Sequence, residues 1–248
     1  MGPAKGFSVR NLLISLAQRI MVTGNTLRRV VQMPRVKQLL GSDSGVALDL
    51  GAGGGKYSCG MYTFGCLRAC SSRVIALDPE DLFCRLIASK SRSRSFLNIH
   101  AICARGEWLP LKDACVDTVL CTEVLTYMAD DQKGAQEIAR ILKPQGQAII
   151  SVPLPPEPAP VNGALREGYQ PGQLEALLAR AGLKVVEHRS CMYGLSRLLL
   201  WAEGHCWSWT RGRLHLPLLF VAYLERLLDE LGIRWGEPYG LIVRAIKA

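Results

Sequence analysis

Val46-Ala-Leu-Asp-Leu-Gly-Ala-Gly-Gly-Gly-Lys56 decides how this chain is read. An apolar run ends in an acid, passes into a glycine-rich turn and then resumes helix-compatible sequence. That order predicts a buried strand, a tight loop and a helix whose N-terminus faces the loop. Glycine suits such a loop because the backbone takes positive φ there and lets a ligand lie against bare main chain. The following helix offers unpaired N–H groups and the positive end of its dipole. The stretch is therefore a ligand cradle at the carboxyl end of a first parallel strand. Two common phosphate-binding patterns fail on spacing. Lys56 stands where a dinucleotide fingerprint wants its third glycine, and Gly55-Lys56 is followed by Tyr57 rather than Ser or Thr.

The chain repeats the theme. Arg73-Val-Ile-Ala-Leu-Asp78 is a second apolar run ending in an acid, about one βαβ unit further on. A carboxylate at that tip suits both hydroxyls of a ribose, since both its oxygens accept. Asp78-Pro79-Glu80 also reads as a helix cap with proline at the first helical position. Alternation predicts further strands at 96–102, 116–122, 147–152 and 183–189, and a last one at 239–247. Helices are expected at about 57–69, 80–89, 132–142 and 169–182. Lys143-Pro-Gln-Gly146 reads as a helix stop, and Lys90 to Arg94 as a solvated basic loop. Pro153 to Pro160 is too proline-dense for helix or central strand and reads as a stiff linker over the strand ends.

The spacing Asp49-x-Gly51-x-Gly53-x-Gly55, acid first, resembles motif I of the class I S-adenosylmethionine-dependent methyltransferases. The block Ala104-Arg-Gly-Glu-Trp-Leu-Pro-Leu111, followed by Asp113 to Glu123, resembles their methyltransferase type 11 group. The resemblance implies a Rossmann-like, seven-stranded, mostly parallel sheet with helices on both faces and the last strand antiparallel between the fifth and sixth. It implies S-adenosylmethionine as cofactor, leaving as S-adenosylhomocysteine. It implies cofactor contacts at Asp49, Gly51, Ala52, Gly53, Gly55, Asp78 and Pro79, at Gly106 and Glu107 for the adenine, and at Cys121 and Thr122 for the methionine end. Arg105 stands where many members have an adenine-binding Asp. Tyr127 takes the place of a frequent His and is the candidate catalytic residue, orienting an acceptor or packing as a wall.

Four segments are expected: an N-terminal helical cover (1–43), the cofactor-binding core (44–191), a helical insertion (192–236) and the final core strand (237–248). In the cover, Gly24-Asn25 is expected to separate two helices that shield a sheet edge or close over the substrate. In the insertion, Leu198 to Trp201 and then Leu216, Phe220, Tyr223, Leu224, Leu227, Leu228 and Leu231 predict two amphipathic helices. A hairpin packed on the core is the first reading. An apolar acceptor pocket, a peripheral membrane contact and a dimer contact are the others.

At 248 residues and 49% hydrophobic content, the chain has enough apolar material for a packed core. The formal charge of +9 admits an acidic partner, but the Arg and Lys are scattered rather than banked on one face, which disfavours nucleic acid. Cys121-Thr-Glu-Val also stands where base-amino methyltransferases carry their Pro-Pro tetrapeptide. The nine cysteines show no paired or zinc spacing, so no metal is expected and a reducing interior is. Leu12 to Ala17 is too short for a secretory leader. The expected location is cytoplasmic, with membrane association as the alternative. A sulfonium carries its own activation, so the chain has chiefly to position an acceptor and exclude water. Candidate bases are His188, His205, His215, Glu123 and Tyr127. The expected acceptor is a small, apolar or partly apolar metabolite; nucleic-acid or protein methylation and a non-catalytic binding module are the alternatives.

Overall fold

A computed structural model describes residues 27–41, 44–53, 59–156, 163–210 and 215–247, without the side chains of 203–219. The Gly24-Asn25 break, Gly55 and residues 157–160 of the proline linker lie outside them. Seven strands form one sheet: β1 (Val46–Leu50), β2 (Arg73–Asp78), β3 (Ile99–Cys103), β4 (Val116–Thr122), β5 (Leu142–Pro153), β6 (Leu183–Cys191) and β7 (Gly240–Lys247). Their spatial order is β3-β2-β1-β4-β5-β7-β6, and β7 alone runs antiparallel, wedged between β5 and β6. The order reverses direction between β1 and β4, which opens a crevice at their carboxyl ends.

Strand alternation divides the core. Leu48, Leu50 and Cys121 face a cluster shared with α3 (Asp131–Ile141) and α4 (Pro171–Arg180). Ala47, Val74 and Ile149 face the other cluster, filled by Val30, Val31 and Val36 of the N-terminal helices, by Leu67 and by Ile87 of α2 (Asp81–Ser93). On that second face a π-helical turn, Arg28–Gln32, leads into α1 (Met33–Leu40), so the described part of the cover packs on the sheet's face. α5 (Gly194–Thr210) and α6 (His215–Glu230) form the insertion, with α6 seated on the Arg28–Gln32 turn.

Several local expectations are refined. The basic run at Lys90 belongs to α2, which continues to Ser93. Lys90 Nζ stands 4.3 Å over the Phe64 ring, and Ser91 Oγ donates to Phe96 O at 2.6 Å, holding the last turn. The chain then bends before β3, so 96–98 are not strand. α3 ends at Ile141, just before Lys143-Pro-Gln-Gly146, but this segment already belongs to β5, with Gln145 at φ +62°. Lys143 Nζ binds both Asp117 carboxylate oxygens at 2.8 and 2.9 Å, fixing this end against β4 across a register shift. Proline is not at the first position of α2, because Glu80 is its N-cap and Pro79 lies outside.

Candidate functional site

The crevice is a cavity of about 560 Å³, in the usual range for a small-molecule site. Backbone forces the glycines at its floor. Gly51 has φ of +73°, and a Cβ there would stand 2.3 Å from Val124 Cγ2. At Gly53 a Cβ would come within 2.5 Å of Asp78 Oδ2, where the Gly53 N–H now donates at 2.7 Å. That hydrogen bond clasps the glycine loop to the tip of β2. Gly51 N and Ala52 N both donate to Leu77 O, at 2.8 and 3.0 Å, tightening the same seam.

Two buried acids lie along this wall. Asp78 accepts from Gly53 N and, through Oδ1, from Glu80 N at 3.0 Å; burial raises its pKa despite those bonds. Asp49 is more enclosed. Burial pushes its carboxyl up to about 7, against the pull of a hydrogen bond from the Thr63 hydroxyl and with a push from Asp78. Among the described residues the donors to both acids are neutral.

The far wall is a polar knot. Gln32 Nε2 donates to Glu123 Oε1 at 3.0 Å and to Ser151 Oγ at 3.2 Å; Ser151 Oγ donates to the same Glu123 oxygen at 2.9 Å. The Tyr62 hydroxyl donates to Gln32 Oε1, completing the amide. Glu123 Oε2 is buried without a hydrogen-bond partner, and the Arg28 guanidinium stands 3.9 Å away. Burial pulls the Arg28 pKa down, while Glu123 and then the Tyr239, Tyr62 and Tyr127 phenols push it up, leaving it raised. Glu123 has φ of +59°, rare for a residue with a side chain, and its N–H donates to Ser151 O at 2.9 Å. Among the described lining residues, Asp49, Asp78, Glu80 and Glu123 face one cation, Arg28, so the cavity favours a ligand that brings positive charge.

Of the residues expected from sequence, Asp49, Gly51, Ala52, Gly53, Asp78, Pro79, Thr122 and Tyr127 line this cavity together. Gly106, Glu107 and Cys121 do not line it. Gly106 packs beside Met128, and buried Glu107 accepts from Ala129 N at 3.1 Å, bolting its loop to the chain after β4. Cys121 is fully buried beneath the floor, where desolvation pushes its thiol up to about 12. Gly55 lies outside the described residues. Of the candidate bases, Glu123 and Tyr127 reach the cavity, whereas His188 sits on β6 with Nε2 2.8 Å from Glu175. The side chains of His205 and His215 lie outside the described ones. Arg28, Gln32, Met61, Tyr62 and Phe83 were missed. For Gln32 a signal existed: it is a polar residue set among Val30, Val31, Met33 and Val36, where an apolar helix face has no use for an amide unless a buried partner awaits it.

Among the described residues no group of His, Cys, Asp and Glu is arranged to hold a metal ion. No described helix is long and apolar enough to cross a membrane.

A family model described as a methyltransferase domain matches residues 48–150. The thiol S-methyltransferase TMT1B of Homo sapiens is 34% identical over 115 residues, 45% of this chain and 44% of that protein. The ubiquinone/menaquinone biosynthesis C-methyltransferase UbiE of Blochmanniella floridana is 35% identical over 104 residues, 42% of this chain and 40% of that protein. Each match thus spans less than half of the relative's length. A geranyl diphosphate C-methyltransferase from Streptomyces coelicolor A3(2), solved with Mg2+, geranyl diphosphate and S-adenosyl-L-homocysteine, shares the fold. Its TM-score is 0.58 at 16% identity, covering 88% of this chain and 77% of that one.

Proposed function

From the premise that this chain belongs to the class I S-adenosylmethionine-dependent methyltransferases, we propose that it transfers a methyl group to a small, apolar or partly apolar metabolite in the cavity between β1, β2 and β4. The observation that carries this reading is the Gly53–Asp78 clasp. It brings the two acid-tipped strands together beside a cavity whose charge calls for a cation. The relatives named for thiol and quinone chemistry support a small-molecule acceptor.

The residues present fit the cofactor. Asp78 retains lone pairs for ribose hydroxyls beyond its two backbone donors. Gly51 and Gly53 give close backbone approach, Pro79 and Phe83 wall the nucleoside end, and Thr122 stands at the tip of β4. Asp49, buried with neutral donors, answers a positive charge. Glu123 Oε2 and Arg28, 3.9 Å apart, have the opposite charges that an amino acid end requires. When bound, the cofactor supplies an electrophilic methyl group on a sulfonium. Tyr127, at the cavity wall near Gly163, orients the acceptor's nucleophile, while Met61, Val124 and Phe83 keep water out. Gly106 and Glu107 act by holding the loop beside this wall. The same reading places the protein in the cytoplasm or on a membrane surface facing it, with the 192–236 insertion as its contact region.

Titration calorimetry with S-adenosylhomocysteine tests this: binding is expected in the wild type and is expected to weaken strongly in Asp78→Ala. Absence of binding to the wild type removes the reading.

A further inference from the structure

Two thiols flank the tip of β2, and no step of the proposed methyl transfer uses them. Cys103 ends β3 and pairs in register with Asp78, the last residue of β2. Cys84 lies in the first turn of α2, one residue after Phe83 of the cavity wall. Cys84 Sγ is 3.4 Å from Asp78 O and 3.2 Å from Ile102 O, and Cys103 Sγ is 3.4 Å from Pro79 O. The sulfurs therefore sit on the carbonyls of consecutive residues, and the two thiols stand within hydrogen-bonding reach of each other. Their exposure differs. Among the described cysteines Cys103 alone is exposed, whereas Cys84 is buried. An accessible sulfur with a sheltered one beside it is the arrangement that a two-step thiol exchange requires.

We propose that Cys103 and Cys84 form a reversible modification site, at which a low-molecular-weight disulfide such as oxidised glutathione is exchanged for a bond between their two sulfurs. The Cys103 thiolate, its proton passed to solvent, attacks one sulfur of the incoming disulfide. A mixed disulfide forms and the first glutathione leaves as a thiolate. Cys84 then gives up its proton and attacks the Cys103 sulfur, closing the Cys84–Cys103 bond and expelling the second glutathione. Two protein thiols are oxidised, one glutathione disulfide is reduced, and the two protons lost by the protein end on the two glutathione thiols. Burial pushes the Cys84 thiol up to about 11, so the exposed Cys103 takes the entering step and Cys84 the resolving one.

The bond would also act on the cavity. Closing it removes the S–H donors from the Asp78 and Pro79 carbonyls and draws the start of α2 toward β3. That end of the helix supplies Glu80 N to Asp78 Oδ1 and Phe83 to the cavity wall. Weaker cofactor binding by the oxidised protein follows. This consequence rests on the proposed function; the disulfide itself does not.

The test is to treat the full chain with oxidised glutathione, alkylate the remaining thiols and map the peptides by mass spectrometry without reduction. The wild type is expected to yield a cross-linked Cys84–Cys103 peptide that dithiothreitol reverses. Cys84→Ser is expected to stop with one glutathione on Cys103. Cys103→Ser, altered at an exposed position, is expected to leave Cys84 a free thiol. In calorimetry, S-adenosylhomocysteine affinity is expected to fall about tenfold on oxidation of the wild type, and not to change when Cys103→Ser is treated alike. Recovery of both cysteines as free thiols, a wild type that stops at the mixed disulfide, or a cross-link from Cys103 to any other cysteine overturns the proposal. A cross-linked protein that binds S-adenosylhomocysteine as tightly as the reduced one overturns the link to the cavity. If the reduced wild type binds none, the proposed function fails, and the peptide map still decides the modification site.

Discussion

Two pairs of buried acids sit in different parts of this molecule and face different surroundings. At the strand tips, the described donors to Asp49 and Asp78 are neutral: the Thr63 hydroxyl, Gly53 N and Glu80 N. On α6, Asp229 meets Arg35 and Arg234, and Glu225 answers the backbone at the entry to α5. Burial penalises the charged form in both places. In the insertion Arg35 and Arg234 compensate it at Asp229, which serves as an anchor, while burial still leaves the Glu225 carboxyl raised. At the tips the described donors to the acids include no cation, and the demand for positive charge falls to a ligand. A buried acid is therefore informative about function through its partners rather than through its depth.

The sharpest way to break this contrast is to remove an acid from each pair. Asp229→Ala leaves Arg35 largely buried without its carboxylate and is expected to cost about 2–4 kcal/mol of stability in chemical denaturation, with cofactor affinity within about twofold of wild type. Asp78→Ala is expected to do the reverse. Calorimetry should give a loss of about 10–100-fold in S-adenosylhomocysteine affinity, equivalent to about 1.5–3 kcal/mol, with a much smaller change in the unfolding midpoint. If both variants lose stability alike and affinity alike, the distinction fails.

Acidity sharpens the same contrast. The Asp49 carboxyl is raised to about 7 when folded, above its ordinary 3.8, so it favours the fold below the lower value and loses that contribution as pH rises through about 7. A cationic ligand reverses the preference by stabilising the carboxylate. S-adenosylmethionine affinity is therefore expected to rise as pH goes from about 6 to 7, by up to about tenfold per unit, and to level off above. Proton release measured in two buffers of different ionisation enthalpy checks it, and Asp49→Asn should flatten the profile. The smallest effect is expected at Tyr127. Tyr127→Phe should lower kcat/KM for the acceptor by about 3–10-fold while leaving cofactor affinity alone; equal effects on both would make it a wall of the cofactor site.

What the sequence disclosed follows the same division. The tips of β1 and β2 were legible because their chemistry is local: an acid closes an apolar run, and glycines follow at fixed steps that a side chain would obstruct, as at Gly51. The last strand's antiparallel place was legible only through resemblance, since nothing in Tyr239 to Lys247 names its neighbours. The insertion's two helices were legible from their period, but which way α6 faces was not. Periodicity gives a stripe, and the direction was set by Arg35, far away in the chain from Asp229. Glu107 shows the same dependence on distant partners. Its loop position was read correctly, yet its carboxylate reaches Ala129 N rather than the cavity. Arg28 escaped because its meaning depends on Glu123, distant in the sequence.

The Gln32 amide has an implication for descent. Gln32, Tyr62, Glu123 and Ser151 come from four separate stretches of chain and meet at one side chain. Changing any one of them strands a buried donor or acceptor on another, so intermediates along a lineage are handicapped until a compensating replacement arrives. Related sequences should accordingly carry these four positions as a linked set, kept whole or exchanged together, while Phe220 and Leu227 drift on their own schedule.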